Sequence, residues 1–243
     1  MTILRHNLRL CTLCGSALRT TVESKESTAC NNCQCTWRCE AVARAVLTAL
    51  KYPLSETIRS ISPDLSRVGL GISDDWRLAT RLASRFDYTN SYLHRFPILD
   101  LADPPRECEG FFEFIVCSDV LEHTQTRLPP MIGLRQMLRR GGFAVLSVPH
   151  NPGERDSEFY PSLTTYTASN GQVHWTDAFG RSHVDSSPEF HGGAGQTLVF
   201  RRFSRDQFMS DLRAAGFTRV QPSFKLNCVE TTTDIPLFIA WRD

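Results

Sequence analysis

The residues best equipped for chemistry lie at the start of the chain. Cys11-Thr-Leu-Cys14-Gly15 and Cys30-Asn-Asn-Cys33 are two Cys-x2-Cys knuckles separated by fifteen residues. Each knuckle presents two thiolates on a tight turn, and Gly15 suits the left-handed backbone such a turn needs. Together Cys11, Cys14, Cys30 and Cys33 offer four sulfurs, the tetrahedral set that Zn2+ takes in closed structural sites. A catalytic zinc would keep an open position and usually carry His or carboxylate ligands. Residues 1–39 are therefore expected to form a small zinc ribbon, with Leu18, Thr20, Thr21 and Val22 in a short hairpin. Cys35 and Cys39 could substitute for Cys33 or bind a second metal. A module this short rarely builds an adequate core of its own, so the metal is expected to hold it together.

The second chemically capable set is histidine. His123 titrates near neutrality and could take a proton from a hydroxyl or amine. His150 directly follows an apolar run, and His191 precedes Gly192, Gly193 and Gly195 in a segment that could cover a substrate. The plainer alternatives are an architectural histidine and a glycine turn.

The elements that must position these groups follow from hydrophobic patterning. Glu40–Leu50 is apolar and helix-favouring, and Ser55–Ile61 reads as a short helix after Pro53. Arg67–Asp75 is a buried strand running into a Gly/Ser/Asp turn. Trp76–Phe86 has helical spacing, and Tyr88–His94 could be a strand. Phe111–Asp119 is nearly continuously apolar, as a parallel strand covered on both faces should be. Met131–Arg140 reads as a helix stopped by Gly141-Gly142, followed by a strand over Phe143–Val148. Residues 151–200 read as a polar insertion. Arg202–Gly216 is helical, and Thr218–Phe224 and Pro236–Trp241 are candidate final strands. This alternation predicts an α/β fold: a Rossmann-like parallel sheet with helices on both faces, occupying residues 40–243. Ligands bind such sheets at the carboxyl ends of the strands.

Three segments carry a family resemblance. Phe112-Glu-Phe-Ile-Val-Cys-Ser-Asp-Val-Leu-Glu-His123 resembles the fourth strand and following turn of class I S-adenosylmethionine-dependent methyltransferases. Met137-Leu-Arg-Arg-Gly-Gly-Phe-Ala-Val-Leu-Ser-Val-Pro149 is similar to their leader helix, Gly-Gly pair and fifth strand. Leu99-Asp100-Leu101 stands where the family places an Asp after its third strand. The likeness covers about residues 45–150, and Ala214-Ala-Gly-Phe217 matches the end of a late helix.

The resemblance implies a bound S-adenosylmethionine. Asp100, beside Leu101, would accept from the adenine amino group. Ser118 and Asp119 would wall the methionine moiety. Asp74 or Asp75 would grip the ribose, with helix capping the equally natural alternative. The family's glycine loop is atypical here, and two registers remain open. Either Val68-Gly69-Leu-Gly71, with Ser73, is a shortened loop after the first strand, or Gly69–Ser73 is the second strand. In the second case the first strand lies near Val46–Leu50. The implied reaction is methyl transfer to a hydroxyl or amine of a small molecule, such as a sugar or natural-product intermediate. Histidines 123, 150 and 191 are the candidate bases. The alternatives are a non-catalytic binding module of this fold, and an RNA or protein methyltransferase.

Composition sets the outer bounds. The chain has 243 residues, 41% of them hydrophobic, with 27 basic against 26 acidic side chains and a net charge of +1. That balance proposes neither nucleic acid nor anionic lipid as partner. No apolar run reaches the ~18 residues of a membrane span. A soluble, cytoplasmic protein is the expectation, consistent with clustered cysteines serving metal rather than disulfides.

Overall fold

A computed structural model of the chain describes residues 10–19, 23–150, 155–191, 197–223 and 236–243. Thr20 to Val22, Asn151, Gly192, Gly193, Gly195 and Cys228 lie outside them. The main sheet is built from β1 (Asp64–Ile72), β2 (Phe86–Ser91), β3 (Phe112–Ser118) and β4 (Leu138–Ser147), all parallel. The later strand β13 (Leu237–Arg242) pairs antiparallel with β4, and β12 (Arg219–Ser223) pairs antiparallel with β13, giving the order β12-β13-β4-β3-β1-β2.

The apolar runs explain why both faces are covered. Along β3, Phe114 and Val116 join one core, and Ile115 and Cys117 join another. The same split separates Phe143 and Val145 of β4 from Ala144 and Leu146. Helices α1 (Trp37–Ala49) and α2 (Trp76–Ala83) pack on the first face. Helices α3 (Leu128–Met137) and α4 (Arg205–Ala214) pack on the second. The helices on both faces and the parallel central sheet agree with the architecture expected from sequence.

Strand order settles the open register. β1 lies between β2 and β3, and β3 is the strand that resembles the fourth. In doubly wound sheets the strand between the second and fourth is the first. Gly69 and Gly71 therefore belong to the first strand, and Val46–Leu50 is not a strand at all but the end of α1. The third strand expected before Asp100 shrinks to a single bridge between Tyr92 and Ile98.

Other boundaries shift for local reasons. Helix α1 begins at Trp37, capped by the Thr36 side chain, so residue 39 falls inside its first turn. The cysteines of the N-terminal segment and Ala41, Val42, Val46 and Leu47 of α1 share one core. Ser55–Ile61 forms turns rather than a helix. Arg44 takes the carbonyls of Leu54 and Glu56, acceptors a helix would use internally, and Arg85 takes those of Ile58 and Arg59. Helix α3 ends at Met137, four residues before the expected Gly141 stop. Arg242 donates to the carbonyls of Arg135, Gln136 and Leu138, and Leu138 already pairs with Phe112.

Within 151–200, the described residues form β5 (Ser157–Glu158), a three-stranded meander of β6 (Leu163–Ser169), β7 (Gln172–Asp177) and β8 (Ser182–Asp185), and the short β9 (Phe190–His191) and β10 (Thr197–Leu198). Strand β11 (Arg201–Arg202) pairs with β5. Tyr160, Val173, Leu198 and Phe200 make a small core of their own. No helix among the described residues is long and apolar enough to cross a membrane.

Candidate functional site

Ser73 and Asp119 follow β1 and β3, and both sit in the left-handed region, at φ of 55° and 53°. Non-glycine residues hold such backbone only where their surroundings fix it, and such positions concentrate at functional sites. Here the fixing contacts are visible. Ser73 donates its amide to Ser91, and Asp119 donates its amide to Ser147, both across the carboxyl edge of the sheet.

The turn after β1 is knitted to β2. Asp75 caps α2 by accepting from the Arg77 amide at 2.7 Å. Asp74 points the other way and is buried, accepting from the Tyr88 hydroxyl through Oδ2. Asn90 accepts from the Asp74 amide and donates to the Asp74 carbonyl, both at 3.0 Å. A Cβ on Gly71 would fall 2.5–2.7 Å from Tyr88, Asp74 and Asn90 oxygens, so this glycine makes room for the polar cluster. Gly69 lies mid-strand, where its missing Cβ admits the Phe114 ring. Burial raises the Asp74 carboxyl to about 8, with Asp75 pushing the same way and Tyr88 and Arg38 opposing. Its Oδ1 is buried without a hydrogen-bond partner among the described residues.

The turn after β3 meets the N-terminal segment. Lys25 pairs with Asp119, and Arg38 donates to Ser118 Oγ at 3.0 Å while lying 3.6 Å from Asp119. Arg38 is itself gripped by Glu26 through two hydrogen bonds of 2.7 and 3.1 Å. Ser118 and Ser147 share a 2.7 Å hydrogen bond, and Ser147 donates to Asp119 at 2.9 Å. Burial alone would raise the Asp119 carboxyl, but Lys25 and Arg38 hold it below the ordinary carboxylate value.

His123 and His191, 68 residues apart in sequence, are brought together beside Glu122. Arg127 pairs with Asp156, Glu158 and Asp211, and Arg201 donates to the carbonyls of Thr124 and Gln125. These contacts fold the insertion over the carboxyl edge. Phe200 then donates to the Glu122 carbonyl at 2.8 Å, and the β9–β10 ladder delivers His191. His123 Nδ1 bonds the Leu198 carbonyl at 2.8 Å, and its Nε2 lies 2.9 Å from His191 Nδ1. Burial raises the Glu122 carboxyl, and Glu122 holds the His191 imidazole above its ordinary value. His150 stands apart at the end of β4, where its backbone bridges Phe203.

The four predicted cysteines also converge. Their sulfurs lie within 4.8 Å of one another, with Cys11–Cys33 at 3.7 Å and Cys14–Cys30 at 3.6 Å. The two knuckles repeat one turn: Gly15 donates to Cys11 and Gln34 to Cys30, both from left-handed backbone. Burial would raise the Cys14 thiol, but hydrogen bonds from Ser16 and Asn32 bring it down to about 6. Cys35 lies 3.6 Å from Cys11, so it adjoins the same cluster, and Cys11, Cys35 and Glu40 form an alternative trio.

Asp100 is exposed and its Oδ1 accepts from the Ala102 amide at 2.8 Å, a local loop contact. Leu101 is buried. Sequence reasoning missed Asn90, Lys25 and Arg38; Glu122, whose sequence position suits a capping or salt-bridging residue, faces both imidazoles at 3.5 Å. For Asn90 a signal existed: it stands nineteen residues after Gly71, near the spacing at which dinucleotide folds place a ribose-binding side chain. Asp74 Oδ1, the exposed Asp100 and the polar turn at Ser118–Asp119 each offer an oxygen able to accept a hydrogen bond.

No protein-family model and no curated protein matches the sequence. Solved structures do. An S-adenosylmethionine-dependent methyltransferase from Clostridium acetobutylicum superposes with a TM-score of 0.50 at 9% identity, over 86% of this chain and 92% of the other. An amino pentose methyltransferase from Micromonospora echinaspora gives 0.45 at 16%, over 85% and 94%. A Burkholderia thailandensis 1,6-didemethyltoxoflavin N1-methyltransferase with S-adenosylhomocysteine bound gives 0.45 at 14%, over 84% and 77%. At these identities the likeness speaks to architecture, and the first of the three carries it: the chain has the Rossmann-like fold of the S-adenosylmethionine-dependent methyltransferases.

Proposed function

We propose that the protein transfers a methyl group from S-adenosylmethionine to a hydroxyl or amine of a small molecule, a sugar or natural-product intermediate. One observation carries the reading. Asp74 and Ser118–Asp119 stand at the carboxyl ends of β1 and β3, and His123, paired with His191, lies in the turn after β3. Bound S-adenosylmethionine would supply a methyl already activated on a sulfonium. The chain's work is then alignment and proton removal. Asp74 would take the ribose hydroxyls, Asp100 the adenine amine, and Asp119 the ammonium in place of Lys25. His123 donates Nδ1–H to a carbonyl, which leaves Nε2 as its basic nitrogen facing the cluster. The insertion that delivers His191 would shape the acceptor pocket.

The four-cysteine cluster is read as a structural Zn2+ site in a module of residues 1–39, with residues 40–243 forming the catalytic part. Sulfur separations of 3.6–3.7 Å support this reading. A tetrahedron with Zn–S of ~2.3 Å has edges of about 3.8 Å.

A second reading has its own support. Lys25 and Arg38 already occupy Asp119 and Ser118, which suits a binding module whose cofactor edge is closed by its own N-terminal segment. Calorimetric titration of the full chain with S-adenosylmethionine decides. Saturable binding, weakened at least about tenfold in Asp100→Ala, supports methyl transfer; no heat at millimolar cofactor leaves the binding module.

A further inference from the structure

Glu122 is fully buried, and neither carboxylate oxygen has a hydrogen-bond partner among the described residues. A bare buried carboxylate is costly to keep, so its surroundings should contain what neutralises it. The nearest groups are two imidazoles. Glu122 Oε1 lies 3.5 Å from His123 Nε2 and 3.5 Å from His191 Nδ1, and those nitrogens are 2.9 Å apart.

We propose that Glu122, His123 and His191 are a second metal site, distinct from the cysteine cluster, that takes a divalent transition-metal ion on a two-histidine, one-carboxylate face. Three geometric facts support it. First, the point equidistant from the three atoms is about 1.9 Å from each, and an ion about 0.7 Å above their plane would sit at the ~2.0–2.1 Å of such bonds. Second, the outer contacts are those that orient metal-bound imidazoles. His123 Nδ1–H is committed to the Leu198 carbonyl, which fixes Nε2 as the lone-pair nitrogen, and His191 Nε2 faces Glu189 at 3.7 Å. Third, Glu122 is buried while His191 is partly exposed, so the cluster runs from the interior to the surface.

Three ligands on one face leave coordination positions free, as in catalytic rather than structural metal sites. Nitrogen and oxygen donors suit Fe2+, Co2+ or Zn2+ more than the hard Mg2+. The substrate class that fits is one presenting a hydroxyl or carboxylate oxygen to the ion, which would lower the proton affinity of a bound hydroxyl. In that arrangement His123 serves as ligand and the ion takes over proton removal. Metal binding itself does not depend on methyl transfer, so it is measured without S-adenosylmethionine.

The test is equilibrium dialysis of the full chain, carrying one zinc per chain and no more, against Co2+, with zinc and cobalt counted in the same sample. The expected result is one Co2+ bound beyond the retained zinc. Affinity should fall about 100-fold or more in Glu122→Gln and in His191→Ala, whereas His174→Ala, on the exposed side of β7, should bind as the parent does. Glu122→Gln should also lose the thermal shift that Co2+ gives the parent. Should Glu122→Gln fail to fold, His191→Ala on its short surface ladder carries the test alone. A parent chain that takes up no second ion, or variants that bind it unchanged, overturns the proposal.

Discussion

Replacing Asp74 with asparagine should remove a pH dependence that the fold itself creates. Asp74 is 6% exposed, receives one hydrogen bond from Tyr88, and leaves Oδ1 unpartnered. Burial, reinforced by Asp75, lifts its carboxyl from 3.8 to about 8. Between those values the unfolded chain has released the proton and the folded chain still holds it. The folded state then binds more protons, so stability must fall as pH rises. For one group the steepest slope is ~1.4 kcal/mol per pH unit. A chain of this size loses about 2–4 °C of Tm per kcal/mol, so this group alone should cost about 3–6 °C per unit between about pH 5 and pH 8. The asparagine side chain keeps an oxygen for the Tyr88 hydroxyl but cannot titrate. Thermal unfolding followed by circular dichroism, on parent and Asp74→Asn across that range, should give curves that separate steadily toward high pH, the variant being the more stable at pH 8. The other buried carboxyls, Glu40 and Glu122, titrate alike in both proteins and cancel in the difference. Parallel curves would refute the reasoning.

Three further outcomes follow from contacts already described. Lys25→Met leaves the buried Asp119 with Arg38 as its one described cation, beside the Ser147 hydroxyl; the pair is partly exposed, so a cost of about 1–2 kcal/mol and a Tm lower by roughly 2–8 °C are expected, measurable by calorimetry. The Asp119 contribution is present above the ordinary carboxylate value and lost as pH falls through its lower folded value, so the parent and Lys25→Met should converge in strong acid. Gly133→Ala would place a Cβ 1.9 Å from the Leu101 carbonyl oxygen; a loss of about 3 kcal/mol is expected in urea unfolding, and parent-like stability would show that α3 does not pack this closely on the Leu101 backbone. Cys14→Ser should lower bound zinc, measured by elemental analysis, to well under one ion per chain and lower Tm by ten degrees or so if the cluster is a structural site.

Signals in the sequence are legible where the chemistry is local. The two knuckles, the continuous apolar strand at Phe112–Ser118 and the Asp75 cap each depend on neighbours a few residues away. The register of the first strand is not legible, because Val46–Leu50 and Gly69–Ser73 are both short apolar runs, and only pairing with β2 and β3 distinguishes them. The same holds for Ser55–Ile61, whose short-helix reading is overruled where Arg44 takes the Leu54 and Glu56 carbonyls. At the candidate site the decisive contacts are long-range. Lys25 meets Asp119 across 94 residues and His123 meets His191 across 68, separations at which no pattern in a single sequence speaks. Histidines 123, 150 and 191 are equal candidates in sequence; only folding of the insertion groups two of them with Glu122.

The link between Thr12 and Glu40 has a wider consequence. Thr12 gives both its amide and its hydroxyl to the buried Glu40 carboxylate, on the helix that packs against β3, β4 and β13. The cysteine segment is thus expected to melt with the sheet in a single cooperative step, not as a detachable arm. Oxidation or demetallation of four thiols near one terminus would then be reported at the far edge of the molecule, making the cysteine cluster a gauge of the redox and metal state in which the whole chain stays folded.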